Sequence, residues 1–148
     1  MPHDPQRIIN TATGFFLAAD RAFEQRSLGP DQFQILLVPA IVCRAFAIEL
    51  YLKAIIILEG GNASGHDLSS LYGRTSQSIQ VSFQNRLALA AAELAQSLAS
   101  ISNSFVEWRY IYESGSAQID PTFLYNFAYA AKVEAENMQA VALASRGS

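Results

Sequence analysis

Between Asp31 and Glu59 the chain carries only three charged residues, Arg44, Glu49 and Lys53. Read as a helix, this segment is apolar nearly all round. A helix of that kind belongs in the middle of a bundle, covered on every side by other elements. Pro39 either kinks it or marks its true start, because proline removes a backbone donor and crowds the preceding turn. Gly60-Gly61 ends it, as glycine does just past a helix C-terminus. The most apolar part, between Asp31 and Arg44, is twelve residues long. A membrane span needs about 20, so no membrane is expected as a partner.

The remaining segments supply the covering helices. From Asp4 to about Arg26, Ile8, Ala12, Phe15, Phe16, Ala19 and Phe23 recur at helical spacing. Asp4-Pro5 suits an N-cap followed by proline in the first turn, and Ser27-Leu28-Gly29-Pro30 stops the helix, with Asp31 as the next cap. After the Gly60–Gly65 loop, Leu68, Leu71 and Tyr72 predict a short helix ending near Gly73. A long helix follows from about Ser76 to Ala99. Ser100 to Asn103 weakens the pattern and reads as a kink or short break before an aromatic helical segment, Ser104 to Glu113. Ser114 to Asp120 reads as a loop, and Asp120-Pro121 opens the last helix. No segment alternates apolar and polar residues for long enough to predict a strand. The expected fold is one all-α domain over residues 1–148, an antiparallel up-and-down bundle of about four long helices plus a short one.

Composition narrows the function classes. The chain has 148 residues, 51% hydrophobic and only 16% charged. That excludes intrinsic disorder, and the shortage of charge to cover the outside suggests surface hidden in a partner. The net charge of -3 and the pI near 5.3 give no global basic field for duplex nucleic acid. The single cysteine, Cys43, allows no internal disulfide and reads as a structural thiol. The first ten residues lack the apolar core of a secretion signal, so a cytoplasmic protein is expected.

Few residue patterns carry chemistry. His3 and His66 are far apart in sequence, no Cys/His spacing suits zinc, and no metal or cofactor is expected. The Gly60-Gly61-Asn62-Ala63-Ser64-Gly65 run has no Lys-Ser/Thr after it and no strand before it, so it is a connector rather than a phosphate loop. Glu49 and Lys53 stand four apart, the favoured order for a helical ion pair, in surroundings apolar enough that such charges are paired or placed at a site. The stretch Phe105-Val106-Glu107-Trp108-Arg109-Tyr110-Ile111-Tyr112-Glu113 is the richest. Phe105, Trp108, Arg109 and Tyr112 share a helical face, and Glu113 lies one turn beyond Arg109. An arginine among aromatics with a carboxylate in reach can stack and pair at once. It is either a structural anchor to Glu49 or Glu113, or an anion-recognising group. His66 beside Asp67 reads as part of a helix start.

The sequence of an apolar helix with Glu49 and Lys53, a glycine-containing loop, Gly65-His66-Asp67-Leu68, a long helix and the Phe105–Glu113 arginine segment resembles the HEPN superfamily (higher eukaryotes and prokaryotes nucleotide-binding). The resemblance spans roughly Ile8 to Ala142. It implies a helical bundle that dimerises, with facing helices forming a cleft at the two-fold axis. Many members are metal-independent ribonucleases of toxin–antitoxin and phage-defence systems. Those share an arginine followed, after four to six residues, by a histidine. Arg109 matches the arginine, but Ser114, Gly115 and Ser116 occupy the histidine's positions.

The expectation is therefore a HEPN-like homodimer that binds a ligand or partner, with RNA or a nucleotide as candidates, through Glu49, Lys53, His66, Arg109, Tyr112 and Glu113, and without ribonuclease activity of its own. Two alternatives stay open. One is an active ribonuclease using Arg109, with His66 as the next catalytic candidate. The other is a protein-interaction subunit.

Overall fold

The computed structural model describes residues 3–109 and 119–147, with the side chains of 104–109 outside that description. Six helices and one small hairpin make up this part of the chain: α1 (Pro5–Phe23), β1 (Arg26–Gly29), β2 (Gln32–Gln34), α2 (Leu37–Leu58), α3 (Leu68–Gly73), α4 (Gln77–Leu87), α5 (Ala91–Arg109) and α6 (Pro121–Arg146). The all-α class holds. Asp4, Asp67, Ser76 and Asp120 each cap a helix by accepting a backbone N–H in its first turn, and Pro5 and Pro121 occupy first-turn positions where no donor is lost.

α2 is the central element. It packs against α1, α3, α5 and α6, and its apolar residues lie inside on several faces, among them Ile41, Ile48, Tyr51, Leu52, Ile55 and Ile56. This is the outcome its sequence demands: with almost no polar face to show to water, the helix is covered by its neighbours. Arg44, one of its three charges, is also buried. Its guanidinium pairs with Asp20 of α1 and stacks over the rings of Phe23 and Tyr125, with centroids at 4.5 and 4.9 Å. Cys43 is half-buried, and burial pushes its thiol up, away from the reactive thiolate. No helix among the described residues is long and apolar enough to cross a membrane.

Three expectations are corrected. First, a strand pair exists. Arg26 pairs with Gln34, Ser27 with Phe33 and Gly29 with Gln32, across a Pro30-Asp31 turn. The first helix ends at Phe23 rather than near Arg26, and α2 begins at Leu37 rather than Asp31, with Pro39 in its first turn where the missing N–H costs nothing. Second, the helix expected from Ser76 to Ala99 breaks at Ala88. This residue adopts φ 53°, ψ 42°, and the N–H groups of Ala88 and Leu89 close the helix end onto Asn85 and Gln84. That is the geometry glycine normally serves, so alanine carries a strain of about 1–2 kcal/mol there. Leu87 and Leu89, packed on the core at either side, hold the turn in place. Third, Ser100 to Asn103 is continuous helix within α5. Ile101 and Ser102 are buried, so packing carries the helix through a weak local pattern.

Two buried tyrosines give the fold an alkaline limit. Tyr51 is fully buried and shares a 2.7 Å hydrogen bond with Thr13, while the Tyr72 hydroxyl donates to the Gln80 carbonyl. Burial pushes both phenols up to about 12. An acid held neutral in the folded state contributes stability that is complete below the unfolded value of about 10 and is lost as pH rises through the folded one. The domain is expected to lose stability between pH 10 and about 12. Spectrophotometric titration is expected to show two phenols ionising late and together with loss of helical circular dichroism. Ionisation of all the tyrosines near pH 10 with the fold intact would contradict this.

Candidate functional site

Glu49 and Lys53 lie one turn apart on α2, and the chain that leaves α2 folds back over them. Gly60, at φ 80°, and Gly61 reverse its direction. Asn62 then accepts the Ser64 N–H through its side-chain Oδ1 at 3.0 Å. Arg74, just beyond α3, clamps the loop: its guanidinium donates to the carbonyls of Asn62 at 2.7 Å and Ser64 at 2.6 Å. Glu59 accepts the Ser76 N–H at 2.9 Å, fixing the end of α2 to the start of α4. Gly65, at φ 95°, passes close to Arg74, and the next residue is His66.

Asp67 locks the far end of the loop. One carboxylate oxygen accepts the Ser70 N–H at 2.9 Å and caps α3; the other accepts from the hydroxyl of Ser102, buried on α5. The expected helix-start role thus falls to Asp67. His66 instead turns to α2, where its Nδ1–H donates to Glu49 Oε2 at 3.1 Å. Lys53 Nζ lies 3.5 Å from the same oxygen. The Glu49 side chain is 3% exposed, that of Lys53 18% and that of His66 76%. The site is graded from a buried carboxylate outward to a solvent-facing imidazole.

This grading has chemical consequences. An ionised carboxylate accepts hydrogen bonds only, so its contact assigns the proton of a neutral imidazole to Nδ1 and leaves Nε2 as an acceptor. Glu49 therefore orients His66 and partly neutralises Lys53. Lys53 also lines a cleft of about 590 Å³ with Ile8, Leu50, Ile57, Asn62 and Ser64. The cleft is apolar along α1 and α2, and polar where the clamped loop forms its other wall.

The structure thus joins three of the six expected site residues: Glu49, Lys53 and His66. Arg109 is the last described residue of α5, seven residues beyond Ser102. That is two helical turns, about 10 Å along the axis. Its side chain lies outside the described residues, as do Tyr112 and Glu113 entirely, so the expected ion pair from Arg109 to Glu49 or Glu113 lies outside them too. Ser102 and Arg74, which hold Asp67 and the loop, were not among the expected site residues. A guanidinium placed just after a helix-ending glycine was the available signal for Arg74. Among the described residues, no group of three or more His, Cys, Asp or Glu side chains is arranged to hold a metal ion. Comparison with protein-family models, curated proteins and solved structures finds no match.

Proposed function

We propose that this chain is a HEPN-like dimeric module that binds a phosphate-bearing ligand, RNA or a nucleotide, at Glu49, Lys53 and His66, without ribonuclease activity of its own. The observation that carries the reading is the convergence of Lys53 and His66 on one buried carboxylate, with Lys53 also lining a cleft. An ammonium is a compact charge suited to phosphate oxygens. The cleft volume falls in the range of small-ligand sites, roughly 300–1,000 Å³. Glu49 holds Lys53 in place, and a bound phosphate competes with it for the ammonium. Arg109, from the resemblance, is the second cation of the reading.

Titration with inorganic phosphate, adenosine monophosphate and a short single-stranded oligoribonucleotide, followed by amide chemical shifts, tests it. Shifts are expected at Lys53, Asn62, Ser64 and His66, with affinity falling at least tenfold in Lys53→Ala, or about 1.4 kcal/mol. Absence of shifts for all three probes would remove the ligand reading.

A second reading, a metal-independent ribonuclease, is favoured by the Glu49–His66 contact, since a carboxylate-oriented imidazole is a general-base arrangement. Cleavage also needs a group to protonate the leaving oxygen, and Ser114 and Ser116 stand where the resembled ribonucleases have histidine. A free hydroxyl does not ionise near neutrality, and lost acid–base assistance costs about 10²–10⁴ in rate. The purified protein is expected to leave mixed RNA intact. Cleavage that survives EDTA and disappears in both His66→Ala and Arg109→Ala would replace the first reading with the second.

A further inference from the structure

A second polar cleft, sharing no residue with Glu49, Lys53 and His66, lies where α4 meets α6. It measures about 390 Å³ and is lined by Arg86, Leu87, Asn126, Tyr129 and Ala130. Its arginine is fixed by a buried carboxylate. Glu134 of α6, with a side chain 8% exposed, accepts through one oxygen from the Ser82 hydroxyl and from Arg86 Nε, the latter at 2.6 Å. A carboxylate can stay buried and ionised when it is paired and hydrogen-bonded in this way.

Arg86 has more to offer than this tie. Its side chain is 38% exposed, and a guanidinium carries five N–H donors in a rigid planar fork. Glu134 takes Nε, and Arg86 makes no other hydrogen bond among the described residues. The two Nη groups therefore remain as a pair of coplanar donors. Tyr129 is 50% exposed yet held in place. Its ring stacks on that of Tyr125, one turn earlier, with centroids 6.3 Å apart and planes 18° from parallel. Tyr125 is anchored in turn by the buried Arg44 at 4.9 Å and by Phe16 at 6.0 Å. Glu134 cancels the charge of Arg86, and the whole chain is at -3. A free anion thus finds little net attraction here. What the cleft presents is two coplanar donors, an oriented aromatic ring and the exposed amide of Asn126.

We propose that the α4–α6 cleft binds an unpaired guanine base, with the Nη fork of Arg86 donating to O6 and N7 and the Tyr129 ring against the face of the base. Guanine presents two adjacent acceptors on one edge without carrying a charge, the match for a fork whose charge is already neutralised. Adenine places an amino donor where guanine has O6, so it meets the fork donor to donor. Unpaired bases are ordinarily held by this combination of edge hydrogen bonds and an aromatic face. The cleft volume is at the lower end of small-ligand sites, roughly 300–1,000 Å³. Glu134 and Ser82 are positioning residues that aim the fork. The site stands on its own residues and does not depend on phosphate binding at Lys53.

Amide chemical shifts of Arg86, Leu87, Asn126 and Tyr129 read the site. Guanosine 5′-monophosphate and inosine 5′-monophosphate, which share O6 and N7, are expected to shift them. Adenosine 5′-monophosphate and the 7-deaza analogue of the guanosine nucleotide are expected to bind at least tenfold more weakly. Arg86→Lys keeps a cation beside Glu134 but loses the fork, so it should fold and no longer distinguish guanosine from adenosine nucleotides. Tyr129→Ala, at an exposed position, should weaken guanosine binding at least fivefold. The nucleotide series on the wild type tests the proposal even if a variant misfolds. A short single-stranded oligoribonucleotide with one guanosine separates the sources of the base: tenfold tighter binding than the mononucleotide assigns the site to a strand, and equal affinity assigns it to the free nucleotide. Equal shifts from the guanosine and 7-deaza nucleotides, equal shifts from inorganic phosphate, preference for cytidine 5′-monophosphate, or no shifts at millimolar concentration would each overturn the guanine site. Shifts at Lys53 and His66 in the same spectra report the phosphate reading separately.

Discussion

Phe127→Ala is expected to destabilise the domain by about 3–5 kcal/mol, the usual loss for emptying a buried phenylalanine site. For a chain of this size that is roughly a 10 °C drop in Tm. Phe127 of α6 is fully buried where three helices meet. Its ring stacks on Phe83 of α4 at 4.9 Å and meets the edge of Tyr72 of α3 at 5.7 Å, with Phe123 of α6 at 5.8 Å. Tyr72 and Phe83 also touch each other at 5.4 Å. Removing the central ring leaves three aromatic side chains facing a void, and their rigid rings cannot collapse into it. The short helix α3 depends on this cluster, and through Asp67 it sets the position of His66, so the loss extends to the candidate site. Val141→Ala on the exposed side of α6 is the control, expected within about 0.5 kcal/mol of the wild type. Urea unfolding should show a lower midpoint with an unchanged slope for Phe127→Ala. A loss below about 1 kcal/mol would mean the cluster is not a unit of the core.

The helices with chemical punctuation were legible in the sequence. Asp4-Pro5, Gly60-Gly61 and Asp120-Pro121 mark ends that the structure keeps within a few residues. The hairpin was not, because its strands of four and three residues are too short to establish a period, and Leu28 reads as part of a helix stop and Phe33 as the start of the long apolar helix. The Gly29-Pro30-Asp31 turn was visible, but it reads equally well as the gap between two helices. Nor was the break at Ala88. Arg86 to Ala92 consists of strong helix formers, and tertiary packing of Leu87 and Leu89 overrides their propensity. At the site, Glu49 and Lys53 were legible because their spacing is one helical turn. The contact between Glu49 and His66 spans seventeen residues and depends on the loop clamped by Arg74 and on the tie from Asp67 to Ser102. No local pattern encodes a contact set by two separate anchors.

Lys53→Met should cost about 3 kcal/mol, the lower end of the range for breaking a buried ion pair, because it strands the partner charge. Glu49 is the residue at risk. Its side chain is 3% exposed, and without the ammonium it keeps, of its described partners, only the Nδ1–H of His66. That hydrogen bond keeps the loss at the lower end. The reverse deletion is milder: Glu49→Leu leaves Lys53, whose long stem can carry its ammonium from an 18% exposed position into the adjoining cleft and its water. The double variant Glu49→Leu/Lys53→Met then separates structure from function. Replacing both members of a buried pair with apolar groups of similar size is commonly neutral or stabilising, so the double variant should recover most of the stability lost in Lys53→Met. If the pair were there only for the fold, the double variant would be a full replacement for the wild type. The proposed function requires a different result: the double variant folds as stably as the wild type, while the amide shifts caused by inorganic phosphate at Asn62, Ser64 and His66 disappear. Wild-type-like shifts in a well-folded double variant would show that the pair has no part in binding, and loss of stability equal to that of Lys53→Met would show that Glu49 is not the group left stranded.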